Sequence, residues 1–273
     1  MPYAYDLDAY RRRIGFQGPF EPNLATLRQI AERHAQSIPF ENLDVLLGRG
    51  INLDPEALER KLVHEARGGY CFEQNGLALG ILRQIGFRVT PLSGRVRIES
   101  PRDFIPARTH LLLIIDLDGE EWLLDVGVGG YSLTSPLRRV LNEEQETLHE
   151  KRRLVCEDGM FYHQVWTGSD WLDVYEFTGE VMPEIDREVA NWWTSTSPKA
   201  KFSQRLVCAR ALPQSERLSL LNDRLVRRRG PEILEELTVT SADHLLEILE
   251  SRFGIRYPAG TRFGSGDKPW PTR

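Results

Sequence analysis

The spacing of apolar residues changes period along the chain and divides it into three stretches. Up to about residue 88 the period is helical. "ATLRQIAERHAQSI" sets Leu27, Ile30, Ala31, His34 and Ile38 on one face, and "DPEALERKLV" opens with Asp54 as N-cap and Pro55 at the first helical position. After Cys71, residues Leu77, Leu79, Ile81, Leu82 and Ile85 continue the pattern, which stops near Gly86. From residue 89 the period shortens to two. "RVTPLSGRVRI", "THLLLIIDL", "EEWLLDVGV", "KRRLVCED", "MFYHQVW" and "WLDVYEF" predict strands, with turns at Asp118-Gly119, Asp158-Gly159 and Gly168-Ser169. Such an antiparallel run predicts a barrel or a sandwich. Beyond a polar, Trp-containing segment at 184–200, "FSQRLVCARAL" and "ERLSLLNDRLVRRR" predict two more strands. "SADHLLEILESRFGI" closes the pattern as a helix capped by Ser241, with Pro258 past its end. The expected class is α+β, with units at 1–88, 89–200 and 201–273.

Composition narrows the setting. With 41% hydrophobic and 27% charged residues, the chain has the make-up of a globular protein. A net charge of -5 gives no reason to expect a nucleic-acid partner, which would favour a basic surface. The apolar run at 111–115 is too short to span a bilayer, and "MPYAYDLDAYRRRIGF" has no secretory apolar core. Cysteines at 71, 156 and 208 do not form a disulfide framework, so a reducing, cytoplasmic setting is expected.

In that setting a lone thiol can be a nucleophile, and "RGGYCFEQN" marks Cys71 as the candidate. Two glycines permit a tight turn that would leave the sulfur exposed. A helix beginning at Cys71 would direct free N–H groups at it, which favours the thiolate. An ordinary buried cysteine is the commoner case and remains the rival. Among six histidines, His110 stands apart at the threshold of the apolar strand "THLLLIID". His34, His64 and His244 lie in helical patterns as surface or packing residues, and nothing in the pattern singles out His149 or His163. The next strand carries Asp125 after Trp122, Leu123 and Leu124, where a buried carboxylate needs a partner. Counting outward from Asp118-Gly119 sets His110 and Asp125 opposite each other to within one residue. Asp125 would then hold the imidazole while His110 takes the thiol proton.

With these residues in view, the chain resembles the arylamine N-acetyltransferases. "RGGYCFEQN" is similar to that family's nucleophile motif, and "SIPFENLDVLLGR" at 37–49 to its Pro-Phe-Glu-Asn signature. "RTHLLL" and "LLDVGVGG" resemble its histidine and aspartate motifs in the same order, and the likeness runs on through "NWWTSTSPKAKF" to the closing helix. The resemblance implies a helical bundle, a β-barrel domain and an α/β lid around a cysteine-protease-like core. It implies Cys71 as nucleophile, His110 as base and Asp125 as orienter in a ping-pong transfer of acetyl from acetyl-CoA to an arylamine or hydrazine. The backbone N–H of Cys71 or Phe72 is the candidate oxyanion donor. No bound cofactor or metal is implied, since acetyl-CoA is a co-substrate. Phe40 is implied as a wall of the acceptor pocket. Thr109, Phe202 and the backbone of Gly127, Gly129 and Gly130 are implied near CoA. The family often has an aromatic residue where this chain has Val128, so a wider acceptor pocket is expected. Glu41 and Arg67, within two residues of the motifs, either pair to brace the nucleophile turn or form a surface ion pair of no consequence. The arginine runs at 11–13 and 227–229 are either solvated faces or attractors of CoA phosphates. A monomer or homodimer is expected, without nucleic-acid or membrane partners.

Two other classes share parts of this pattern. A papain-like or transglutaminase-like enzyme also uses Cys, His and Asp in this order, but its usual cysteine surroundings are absent. A zinc site built from Cys71, His110 and Asp125 would lack the close ligand pairs typical of zinc.

Overall fold

A computed structural model describes residues 3–263. Its first part is helical: α1 (Leu7–Ile14), α2 (Leu24–Ser37), a two-residue strand β1 (Phe40–Glu41), α3 (Leu43–Leu46), α4 (Pro55–Glu59) and α5 (Cys71–Ile85). Helix α2 buries Leu27, Ile30, Ala31 and His34, the face predicted by its spacing, and Asn23 caps it. Helix α4 begins at Pro55, but Asp54 makes no side-chain cap bond. It runs directly into a π-helical turn at Arg60–His64. Buried residues on all sides make α5 the axis of the helical core.

Strands β2 (Arg88–Val96), β3 (His110–Leu117), β4 (Glu120–Leu124), β5 (Leu137–Arg138), β6 (Arg152–Glu157), β7 (Met160–Trp166) and β8 (Trp171–Val181) form one antiparallel sheet in the order β5-β4-β3-β2-β8-β7-β6. The segment after β5 reaches β6 through bridges at Leu141–Leu154 and Gln145–Arg152, which nearly closes the sheet into a barrel. Asp118 and Gly119 both take positive φ, as the tight turn between β3 and β4 requires.

The last part holds α6 (Glu184–Thr196), α7 (Lys201–Gln204), β9 (Val207–Leu212), β10 (Glu216–Leu221), β11 (Arg224–Arg229), β12 (Glu232–Thr238) and α8 (Ala242–Phe253). Helix α8 is capped by Ser241 and ends on left-handed Gly254. The Trp-containing segment at 184–200 is thus mainly helix. "FSQRLVCARAL" divides into α7 and β9. "ERLSLLNDRLVRRR" is a hairpin of two strands, its register running from Glu216–Arg229 to Leu221–Arg224. β12 lies at the sheet edge, half polar along its length, and gave no alternating apolar signal. The five-stranded sheet runs β1-β9-β10-β11-β12, so a strand from the helical part borders the last sheet, with Phe40 opposite Ala209.

Candidate active site

Backbone packing explains the "RGGYC" turn. A Cβ on Gly68 would stand 2.1 Å from the Pro39 carbonyl oxygen, and one on Gly69 would stand 2.7 Å from the Glu73 side chain. Only glycine lets this turn lie against the Phe40 segment. The Glu41 N–H donates to the Gly69 carbonyl (3.0 Å), and the Gln74 amide donates to the carbonyls of Pro39 (2.8 Å) and Gly69 (3.2 Å). The Gln74 oxygen is bound in turn to His34 Nε2 at 2.6 Å. The Glu73 carboxylate accepts from the Tyr70 N–H (3.0 Å) and pairs with Lys61 (2.6 Å). Glu41 pairs with Arg67 at 2.7 Å, as their places beside the motifs suggested.

Cys71 is the first residue of α5, where unpaired N–H groups gather. The glycine turn does not expose the sulfur: Cys71 is only 4% exposed, because β3 and the loop after β4 cover it. Its Sγ lies 3.5 Å from the Thr109 carbonyl oxygen, immediately before His110. His110 opens β3, and its Nε2 lies 2.6 Å from Asp125 Oδ2. The ladder pairs Leu113 with Leu124. Continued by one residue, it sets Asp125 opposite Leu112, so His110 is the diagonal neighbour on the same face. Burial alone would lower the imidazole pKa. The adjoining Asp125 carboxylate, with a smaller contribution from Cys71, reverses that and raises it to about 10.

Asn75, one helical turn after Cys71, fixes the carboxylate. Its amide donates to Asp125 Oδ1 (2.8 Å) and the Leu111 carbonyl (2.6 Å), while its oxygen accepts from the Val126 N–H (3.0 Å). Asn75 was overlooked in the sequence, although spacing of four from the nucleophile on one helix was the available signal. Tyr175 of β8 was also overlooked. It is fully buried, with its ring 5.0 Å from that of His110, and only the folded barrel brings the two together.

The other candidates fall in distinct places. A Cβ on Gly127 would meet Cys71 Cα at 2.9 Å, so this glycine packs directly on the nucleophile. Gly129 has positive φ and faces Phe40, whereas Gly130 has open space. Phe40, Phe202 and Tyr70 form an aromatic cluster, with Phe202 centred 5.8 Å from Phe40 and 5.7 Å from Tyr70. Val128 packs into the barrel core with Leu112 and Leu133, a different cluster from that of Phe40. In the first arginine run, Arg13 is tied to the Ser37 and Leu62 carbonyls; in the second, Arg227 and Arg229 pair with Glu216. A cavity of about 420 Å3 lies apart from the triad, between residues 50–54 and α6.

A cysteine at a helix start, an imidazole against a buried carboxylate and a glycine loop on the nucleophile make a site for acyl transfer through sulfur. The N-acetyltransferase family pattern matches residues 23–261. The chain belongs to the arylamine N-acetyltransferase family. It is 39% identical over 249 residues to the arylamine N-acetyltransferase / N-hydroxyarylamine O-acetyltransferase of Salmonella typhimurium, covering 91% of this chain and 88% of that protein. It is 41% identical to the arylamine N-acetyltransferase of Mycolicibacterium smegmatis, covering 92% of each. The structure of Mycobacterium marinum arylamine N-acetyltransferase in complex with CoA superposes with a TM-score of 0.87 at 36% identity, covering 92% of this chain and 93% of that one. As an arylamine N-acetyltransferase the chain has the family architecture of helical bundle, barrel-like sheet and α/β lid. No helix among the described residues is long and apolar enough to cross a membrane.

Proposed function

We propose that the chain carries acetyl from acetyl-CoA to the nitrogen of an arylamine or arylhydrazine, with Cys71 as the covalent carrier. The observation that carries this reading is the contact of His110 Nε2 with Asp125 at 2.6 Å, beside a cysteine at the first position of α5. His110 takes the Cys71 proton. The thiolate attacks the thioester carbonyl, and the departing CoA sulfur receives the proton from the imidazolium. An incoming amine then attacks the acetyl-cysteine and passes its proton to the Cys71 sulfur by way of His110. Thioester exchange is nearly balanced in energy, and the resulting acyl-sulfur bond is reactive enough for a weakly basic aromatic nitrogen. The N–H of Cys71 or Phe72 is assigned to the developing oxyanion.

Phe40 is assigned to the aromatic acceptor wall, and Phe202, its ring centred 5.8 Å from that of Phe40, to CoA. Thr109 and the 127–130 backbone are assigned to CoA, a role supported by the contacts of Thr109 and Gly127 with Cys71. Val128 would influence acceptors through the backbone of its loop, since its side chain packs in the barrel core. Units at 1–88, 89–200 and 201–273, a cytoplasmic location and a monomer or homodimer complete the reading. Acetyl-CoA serves as co-substrate, with no bound cofactor.

The test is incubation with acetyl-CoA followed by peptide mass spectrometry. One acetyl group is expected on Cys71, removed on addition of an arylamine, with free CoA released in the first step. Cys71→Ala should abolish both steps. Arylamine acetylation by that variant would refute the covalent route.

A further inference from the structure

Arg152 heads the fully buried side chains by size, with no measurable exposure. Its Nη2 lies 3.0 Å from Glu150 Oε2. The same carboxylate is gripped by Arg217 of β10, with Nε at 2.5 Å and Nη2 at 2.8 Å. Arg228 of β11 stands farther off at 3.9 Å and is partly exposed. One carboxylate therefore serves two buried guanidiniums, and one positive charge is left over. A surplus charge inside a protein is costly unless something opposite balances it.

The surplus faces the triad. Arg152 Nη1 lies 3.4 Å from His163 Nε2, the His163 ring lies 4.7 Å from Tyr175, and Tyr175 lies 5.0 Å from His110. His163 is held neutral by burial and by the charges of Arg152 and His110, so it adds no charge between them. Burial and the Asp125 carboxylate likewise keep the Tyr175 hydroxyl protonated. Proton transfer from Cys71 to His110 leaves the net charge of the triad at minus one, whereas its acid form of thiol, imidazolium and carboxylate is neutral, so a nearby positive charge opposes the extra proton. Cys71 faces His110 and Tyr70, and Glu73, beside Tyr70, is neutralised by Lys61 at 2.6 Å.

We propose that Arg152 is a positioning residue for acetyl transfer, the buried counter-charge that, from behind Tyr175 and His163, favours the singly negative Cys71–His110–Asp125 triad over its neutral acid form. This role rests on the triad reading given above.

The test follows the pH dependence of Cys71 alkylation by iodoacetamide, read by mass spectrometry, with acetylation by acetyl-CoA measured in parallel. Arg152→Met removes positive charge and should move the acid midpoint of alkylation up by about half a unit to one unit, the scale of a screened charge on the order of 10 Å away. Glu150→Gln adds net positive charge to the same cluster and should move the midpoint down. Arg152→Lys should keep it within about 0.2 units of wild type, since the charge is retained. Packing damage alone would not give shifts of opposite sign. Each of the first two variants decides by its own sign, so failure of one to fold leaves the other decisive. An unmoved midpoint, or a shift in the wrong direction, in a folded variant overturns the proposal. If wild-type Cys71 takes no acetyl from acetyl-CoA, the triad reading itself fails; if it is acetylated and the midpoints do not move, only the role of Arg152 falls.

Discussion

Gly127→Ala tests whether the loop after β4 serves the nucleophile or the donor. The added methyl would stand 2.7 Å from Asn75 Nδ2, 2.9 Å from Cys71 Cα and 3.1 Å from the Cys71 carbonyl oxygen. Non-bonded carbons settle at about 3.5–4.0 Å, so the loop and the first turn of α5 must separate by roughly 0.6–1 Å. Two of the three obstacles are backbone, and the third is the amide that holds Asp125. Overpacking of this kind costs about 1–3 kcal/mol, seen as a fall of several degrees in Tm. A displacement of that size at the reacting sulfur should slow acylation by about 100-fold. Two donors separate the explanations: acetyl-CoA, and p-nitrophenyl acetate, which has no CoA portion. If Gly127 packs on Cys71, the burst of acylation slows with both. Near-normal rates with p-nitrophenyl acetate beside a raised KM for acetyl-CoA would refute the packing argument and leave Gly127 with its donor role alone.

Asn75→Leu removes the amide between Asp125 and the Leu111 carbonyl and leaves the Val126 N–H without its acceptor. A loss of about 2–4 kcal/mol in urea unfolding and a drop of at least tenfold in acylation are expected. Asn42→Ala releases the Phe202 and Arg205 carbonyls and the Val207 N–H. Limited proteolysis should then cut near residues 200–206 sooner than in wild type. His34 gives a pH prediction. Burial holds its pKa down at about 4, against a usual 6.5. The folded state therefore binds fewer protons than the unfolded chain between these values, and stability rises with pH across that window. His34 contributes fully above pH 6.5, and about 3 kcal/mol is lost as the pH falls through 4. Chemical denaturation from pH 4 to 7 should show this slope, and His34→Gln should reduce it, leaving the part that His149 and His163, also held low by burial, contribute.

The triad was legible because each member sits at an element boundary that leaves a local mark. Cys71 follows a glycine pair, His110 begins an apolar run and Asp125 ends one. The tight turn at Asp118-Gly119 then brought the latter two within range, displaced by a diagonal step. Its supporting residues left no such mark. Tyr175 and His163 lie in ordinary strand alternation and reach the site only when β8 and β7 curl behind β3. Arg152 opens a strand among other charged residues, where burial could not be foreseen. Helix α6 was missed although Ile185, Val189 and Trp192 recur at helical spacing, a stripe that the fold leaves exposed. The glycine pair was read through backbone freedom, whereas the decisive factor is the lack of room for any side chain beside Pro39 and Glu73.

Because Phe40–Glu41 forms the border of a sheet whose next strand is β9, ribosomal synthesis delivers the two partners far apart in time. The nucleophile turn emerges early, yet the segment bracing it has an open edge until the final third of the chain arrives. A nascent chain halted before residue 207 should thus hold its nucleophile turn through the Glu41, Gln74 and Arg67 contacts while the outer edge of the Phe40–Glu41 strand stays unpaired and open to chaperones.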